Sequence, residues 1–270
     1  MVQYISERFD TRGVKLAGVS SGAIGAVLLL ALEEAAARPG PGAASSKVRR
    51  RAQEVFKLVE RASSPVVKHP LGFLLRLGSV LDKVAAEVIP EKCPEGNRVR
   101  VGVRRVAGGL VPALVPGVVT GFKNREDLKE AVLASSTVWL IVRPWPCRYL
   151  ACKKWFCADG VNPFSFYCLV EYLLHLRKGL AKRTAPRHTH SGGLDLIYAM
   201  WNCGVMKRLL SSRGRHIWVT PTVGGRLDLR YALRVSGWFL AEQWCQGYAH
   251  TRDLDAQGYW KYLNRRPKAA

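Results

Sequence analysis

The chain has 270 residues, of which 48% are hydrophobic and 23% are charged, so it can bury the core of one large α/β domain. This composition excludes an intrinsically disordered chain and a small disulfide-stapled one. Lysine and arginine number 42 against 20 acidic residues, and the net charge of +22 leaves three interpretations open: an anionic membrane surface, a nucleic acid, or a solvated basic surface without a specific partner.

The first predicted elements are a short buried strand over residues 14–19 and an apolar helix over residues 23–37. Between them, Gly18-Val19-Ser20-Ser21-Gly22 fits the pattern G-x-S-x-G, in the order strand, turn, helix that a nucleophile elbow requires. Ser20 is therefore a candidate nucleophile. We expect Gly18 and Gly22 to allow close backbone approach, and the N–H group of Ser21 to stabilise an oxyanion.

The rest of the chain alternates predicted helices and strands, which predicts a layered α/β fold with a largely parallel sheet. Residues 98–106 alternate valine and arginine, the pattern of a half-exposed strand with valine inward. Asn124 is predicted to cap a helix, with Asp127 in its first turn. Further helices are predicted over residues 48–62, 71–89, 164–176 and 195–210, and further strands over residues 138–142, 149–158 and 216–219.

Asp159 is a candidate general base because it follows a predicted strand and precedes Gly160. At the carboxyl end of a strand, its carboxylate can face the same crevice as the elbow. An aspartate that takes the Ser20 proton directly makes a histidine unnecessary. The alternative interpretation of Asp159 is an ordinary Asp-Gly turn.

Cysteine and histidine spacing predicts neither disulfides nor a metal site. The seven cysteines are an odd number, and we expect reduced thiols. Cys147, Cys152 and Cys157 lie five residues apart without a second pair, and the segment His188-Thr189-His190 lacks completing ligands. Several aromatic residues near the end of the chain fit either internal packing or a lipid interface: Trp238, Trp244, Tyr248, Tyr259 and Trp260.

Three segments, in this order, resemble the patatin-like phospholipases and the related animal triacylglycerol lipases. They are Ala17-Gly-Val-Ser-Ser-Gly-Ala-Ile-Gly-Ala26, then Gly121-Phe-Lys-Asn-Arg-Glu-Asp-Leu128 with Ala134-Ser135-Ser136, and Phe156-Cys-Ala-Asp-Gly-Val-Asn-Pro163. The resemblance covers roughly residues 14–166; residues 216–247 are only loosely similar to the family's closing segment. It implies a three-layer α/β/α fold, a Ser–Asp dyad at Ser20 and Asp159, and a supporting role for Gly160.

The chain departs from the family pattern in two places. Val161 stands where the family usually has glycine or alanine. Nineteen residues precede Ser20, with Gly13 as their single glycine, so we expect the family's glycine-rich oxyanion loop and first strand to be missing. The expected division is a truncated patatin-like core over residues 1–175 and a basic extension over residues 176–270 that completes or flanks the same domain.

These features predict a serine acyl hydrolase that cleaves glycerolipid esters, either phospholipid or triacylglycerol, without a metal or an organic cofactor. The expected location is cytoplasmic, peripheral to an anionic membrane or a lipid droplet. Two alternatives stay open at this point. One is an impaired patatin-like domain that only binds lipid surfaces, and the other is a basic nucleic-acid-binding protein in which the elbow is coincidental.

Overall fold

The computed structural model describes residues 1–39, 43–67, 70–93, 96, 98–108, 113–137, 147–159 and 237–266. Gly160, Val161, His188 and His190 lie outside these ranges, as do the strands predicted at 138–142 and 216–219 and the helices predicted at 164–176 and 195–210. The described elements are, in chain order, α1 (Val2–Arg8), β1 (Phe9–Asp10), β2 (Leu16–Val19), α2 (Ser21–Ala37), α3 (Ala44–Val67), α4 (Pro70–Val88), β3 (Val99–Ala107), β4 (Ala113–Val119), α5 (Arg125–Ser135), β5 (Arg148–Leu150), β6 (Trp155–Asp159), α6 (Gly237–Ala256) and β7 (Asn264–Arg265).

Strand β3 is the centre of a five-stranded sheet. It pairs in parallel with β2, and antiparallel with β4 and β6, while β5 pairs antiparallel with β6. The α/β class is therefore confirmed. The expectation of a largely parallel sheet is wrong for the described strands, since one of these four pairings is parallel.

Short connections explain this difference. Residues 149–158, predicted as one strand, form the hairpin β5–β6 with a turn at residues 151–154, where Lys154 has a φ of 55°. Strand β4, which was not predicted, follows β3 after only a few residues. A short link can join antiparallel neighbours but not parallel ones. Strand β4 also contains Pro116, which is tolerated because β4 pairs with β3 alone among the described strands.

The main core lies between the sheet and the helices. Val99, Val101 and Val103 are buried, as the alternating pattern predicted, whereas Arg100 and Arg104 are partly exposed. Helix α2 buries residues along most of its length, in agreement with its apolar sequence. The capping prediction is also confirmed, because the Asn124 side chain accepts a hydrogen bond from the Asp127 N–H at the start of α5.

A buried ion pair joins α2 to the start of β3. Arg98 donates to Glu33 at 2.5 Å, and the Thr11 hydroxyl donates to the same carboxylate. Glu33 is almost fully buried, so this pairing offsets the cost of removing its charge from water. Arg98, the first arginine of the alternating valine–arginine segment, therefore has a structural role at the end of β2 that is remote from Ser20.

The two ends of the described chain pack together. Helix α1 contacts α6, and β1 pairs with β7. The Tyr248 hydroxyl donates to Glu7 at 2.7 Å, and burial with this bond raises the pKa of Tyr248 to about 12. Trp244 donates to Gln3, and Trp260 is almost fully buried. Of the aromatic residues weighed for a lipid interface, these three have packing roles.

Candidate active site

Ser20 has a strained backbone at the junction of β2 and α2. Its φ of 54° and ψ of −126° place a non-glycine residue in a sparsely populated region, at a typical cost of about 1–3 kcal/mol. Among the described non-glycine residues, only Ser20 and Lys154 have positive φ. A strained serine on a sharp strand-to-helix turn is the local geometry of a nucleophile elbow. The side chain is half-buried rather than enclosed.

The two glycines of the motif have different environments. A Cβ atom at Gly18 would lie 2.3 Å from the carbonyl oxygen of Gly22 and 2.5 Å from the nitrogen of Ala23. Only glycine fits at position 18, because α2 passes directly over the end of β2. A Cβ atom at Gly22 would meet no atom within 4 Å. Close backbone approach is therefore observed between Gly18 and the peptide group of Gly22, and position 22 itself has room for a side chain.

The first turn of α2 supplies backbone donors beside Ser20. The Ser20 carbonyl accepts hydrogen bonds from the N–H groups of Ala23 and Ile24, at 2.9 and 3.4 Å. The N–H groups of Ser21 and Gly22 precede these bonds, at the positive end of the helix dipole. This is where an oxyanion formed by attack of Ser20 would gain stabilisation.

The end of α5 holds the elbow from the other side. The Ser135 hydroxyl accepts a hydrogen bond from the Ser20 N–H at 2.8 Å and donates one to the Gly102 carbonyl at 2.6 Å. The Ser136 hydroxyl donates to the Ser20 carbonyl at 3.2 Å. Both peptide groups of Ser20 are thus fixed by consecutive side chains, and Ser135 also ties the turn to β3.

Asp159 lies next to the elbow, because β2 and β6 end at adjacent residues of β3. Val19 pairs with Gly102 and Asp159 pairs with Val103, so the carboxyl ends of β2 and β6 meet there. Both strands use the same edge of β3, because β4 pairs with residues 101–107 of β3 and so occupies the other edge. The Asp159 N–H donates to the Thr137 carbonyl at 3.1 Å, and the residue is only 2% exposed.

Segment 135–137 therefore contacts both halves of the candidate site: Ser135 and Ser136 bind Ser20, and Thr137 binds Asp159. Ser135 and Ser136 belong to a segment that resembles the patatin-like family, but no role was predicted for them or for Thr137. One feature of the sequence could have indicated this role: three consecutive hydroxyl-bearing residues directly follow the apolar residues of a predicted helix.

Neighbouring thiols are poorly suited to act as nucleophiles. Cys157 is fully buried two residues before Asp159, and burial raises its pKa to about 12. Burial also raises the pKa of Cys147 and Cys152. The five cysteines in the described ranges are free thiols, and no group of three or more metal-ligating side chains is positioned to hold an ion within those ranges.

Replacement of Ser135 by alanine tests the support of the elbow. The variant loses two hydrogen bonds and leaves the Ser20 N–H and the Gly102 carbonyl without this partner, so we expect a loss of about 2 kcal/mol in unfolding free energy. Any ester turnover should fall with it. Urea unfolding should show a smaller loss for Ser136→Ala, whose bond to Ser20 is longer. Equal stability of Ser135→Ala and the wild type would contradict the assigned contact.

No helix in the described part of the chain is both long enough and apolar enough to cross a membrane. The chain was also compared with models of protein families, with curated proteins and with solved structures, and none of the three comparisons gave a match.

Proposed function

We propose that this chain is a serine acyl hydrolase that cleaves ester bonds of glycerolipids. Ser20 acts as the nucleophile and Asp159 as the general base. The observation that carries the proposal is the strained Ser20 turn beside the end of β6, where Asp159 occupies the next position along β3. The G-x-S-x-G pattern around Ser20 supports the same conclusion, as does the position of Asp159, which is 139 residues later in the sequence but pairs with the adjacent residue of β3.

The proposed reaction has two steps. Asp159 accepts the proton of the Ser20 hydroxyl while its oxygen attacks the ester carbonyl, and the N–H groups of Ser21 and Gly22 stabilise the oxyanion. The glycerol oxygen leaves with the proton from Asp159, and an acyl-enzyme remains on Ser20. Asp159 then deprotonates a water molecule that attacks the acyl group. As the bond from the acyl group to Ser20 breaks, Asp159 gives this proton to the Ser20 oxygen, so the fatty acid departs and the hydroxyl is restored.

The choice of glycerolipid esters rests on the resemblance to patatin-like lipases together with the charge of the chain. A net charge of +22 favours approach to anionic lipid surfaces. The mixed sheet differs from the largely parallel sheet that the alternation of helices and strands predicted. The elbow and Asp159 therefore carry the proposed activity. We also propose that the sheet lies between two layers of helices.

Labelling with a fluorophosphonate probe tests this assignment in the full chain. We expect one covalent adduct, located by peptide mapping on Ser20. Labelling of Ser21→Ala should be retained, because that variant keeps the backbone N–H. A folded wild-type protein without label, or an adduct on another serine, would contradict the proposal. The first of these results would favour a lipid-binding domain without turnover.

A further inference from the structure

A partly exposed arginine stacks on a tryptophan on the face of the sheet that carries Asp159. Val103 pairs with Asp159, and Arg105 pairs with Cys157. Strand alternation therefore puts these four side chains on one face, together with that of Trp155. The guanidinium carbon of Arg105 lies 5.1 Å from the centroid of the Trp155 ring, which is within the range of a cation–π contact. Arg105 and Trp155 are partly exposed, whereas Asp159 is buried.

Gly117 of β4 makes room for the tryptophan ring. A Cβ atom at Gly117 would lie 3.6 Å from Cζ3 of Trp155 and 3.3 Å from Cγ2 of Val103. Gly117 pairs with Val103, and Val103 also pairs with Asp159, so the ring reaches the row of residues across the sheet that ends at Asp159. The stacked pair of Arg105 and Trp155 therefore lies beside the candidate general base.

The charge of Arg105 is not neutralised within the described part of the chain. Its guanidinium makes the cation–π contact with Trp155 there, but no hydrogen bond and no ion pair. Two carboxylates approach the hairpin β5–β6 from α4 and α5, those of Asp82 and Glu130, but both bind Arg148. Stacking on a ring uses the flat face of a guanidinium and leaves the N–H groups at its edge free to bind an anion.

We propose that Arg105, held on Trp155, is a subsite for the phosphate group of a glycerophospholipid substrate. The inference rests on the proposed function and selects phospholipids over triacylglycerols as substrates of that site. The fork of a guanidinium binds two phosphate oxygens at once. Arg105 lies two residues along β3 from Val103, the partner of Asp159, which is about 7 Å. This short separation suits a phospholipid, because its phosphate and its esters are carried by neighbouring carbons of one glycerol.

A lipid phosphate fits this arrangement better than a nucleic acid does. Proteins that bind nucleic acids follow the phosphate backbone with many cations, or stack bases on open aromatic faces. Here the guanidinium of Arg105 lies over the ring of Trp155, so this face of the ring is not open to a base. One phosphate next to a reacting ester is the simplest ligand for a single cation beside Asp159.

Hydrolysis of two matched esters by the full chain tests the proposal. Dihexanoylphosphatidylglycerol carries the phosphate and dihexanoylglycerol does not, and both are used as monomers so that no lipid surface contributes. We expect Arg105→Gln to lower the ratio of kcat/KM for the phosphate ester to kcat/KM for the neutral ester by roughly 10–100-fold. Arg105→Lys keeps the charge but loses the fork, so its ratio should fall less. Arg252→Gln, which removes an exposed positive charge on α6, should keep the wild-type ratio.

Binding without hydrolysis gives a second readout. In a Ser20→Ala background, calorimetric titration with dihexanoylphosphatidylglycerol should give a Kd that Arg105→Gln raises roughly 10–100-fold. Inorganic phosphate separates a site for a lipid headgroup from a site for free phosphate, and we expect it to bind at least about 10-fold more weakly than the lipid. Thermal unfolding of Arg105→Gln should stay close to that of the parent, because the side chain is partly exposed and makes no hydrogen bond within the described ranges.

Four results would overturn the inference: an unchanged ester ratio in Arg105→Gln, an equal loss in Arg252→Gln, inorganic phosphate that binds as tightly as the lipid, or Arg105-dependent binding of single-stranded DNA but not of the lipid. The proposed function is judged separately. Absence of turnover of both esters by the wild type, together with Arg105-dependent lipid binding, would count against the proposed function and support the phosphate subsite. Turnover of both esters without any effect of Arg105→Gln would have the opposite meaning.

Discussion

Asp159→Asn is expected to lower ester turnover by about 10²–10⁴-fold, the range that a positioned general base contributes. Asparagine has nearly the same size and keeps the backbone N–H that donates to the Thr137 carbonyl. It cannot accept the Ser20 proton. The loss should therefore appear in turnover, with the unfolding free energy and the pairing of β6 with β3 largely retained.

Asp255→Asn is the matched control for that variant. Asp255 is also buried, but it binds Tyr4 and Arg265 at the junction of α1 and α6, not the elbow. We expect this change to reduce stability and leave turnover of the folded protein near that of the wild type. Steady-state rates with a water-soluble short-chain ester measure both effects. If the two variants lose turnover equally, Asp159 has no special role.

Gly18→Ala is expected to destabilise the fold by about 3 kcal/mol, the upper range for overpacking. The added methyl group would lie 2.3 Å from the Gly22 carbonyl oxygen and 2.4 Å from its carbon. These are backbone atoms of the first turn of α2, so no side-chain rotation can relieve the overlap. The helix must move away from β2, and the Ser20 turn must move with it.

Gly22→Ala serves as the control within the same motif, because its Cβ atom has open space. Alanine at a helix position also reduces the entropy of the unfolded chain, so we expect no loss, or a gain of up to about 1 kcal/mol. Urea unfolding midpoints compare the two variants directly. Similar destabilisation by both substitutions would show that α2 does not pass over β2 as described.

Local patterns predicted the elements next to the elbow. Alternating valine and arginine identified β3, and the apolar run after Gly22 identified α2 as a central helix, because burial imposes these patterns along one stretch of chain. The direction of the strands was not predictable in the same way. Strand direction depended on the short links between β3 and β4 and between β5 and β6. The second link was not recognised, because residues 149–158 were interpreted as one strand.

The relation between Ser20 and Asp159 depends on long-range register. Each residue was a candidate from its own neighbourhood, but only the pairings of Val19 with Gly102 and Asp159 with Val103 bring them to one place. No local pattern encodes that register. The role of Ser135 was hidden for the same reason, since its partner lies 115 residues away.

The central claim, that Ser20 is the nucleophile, is tested most directly by the turnover of a short-chain glycerol ester by the wild type and Ser20→Ala. The account predicts measurable turnover by the wild type and a fall of at least about 10⁴-fold in the variant, as expected on removal of a catalytic serine. The variant should unfold at the same midpoint as the wild type or at a higher one, since alanine keeps the backbone hydrogen bonds of residue 20. Turnover that persists in folded Ser20→Ala at the wild-type rate would contradict the account.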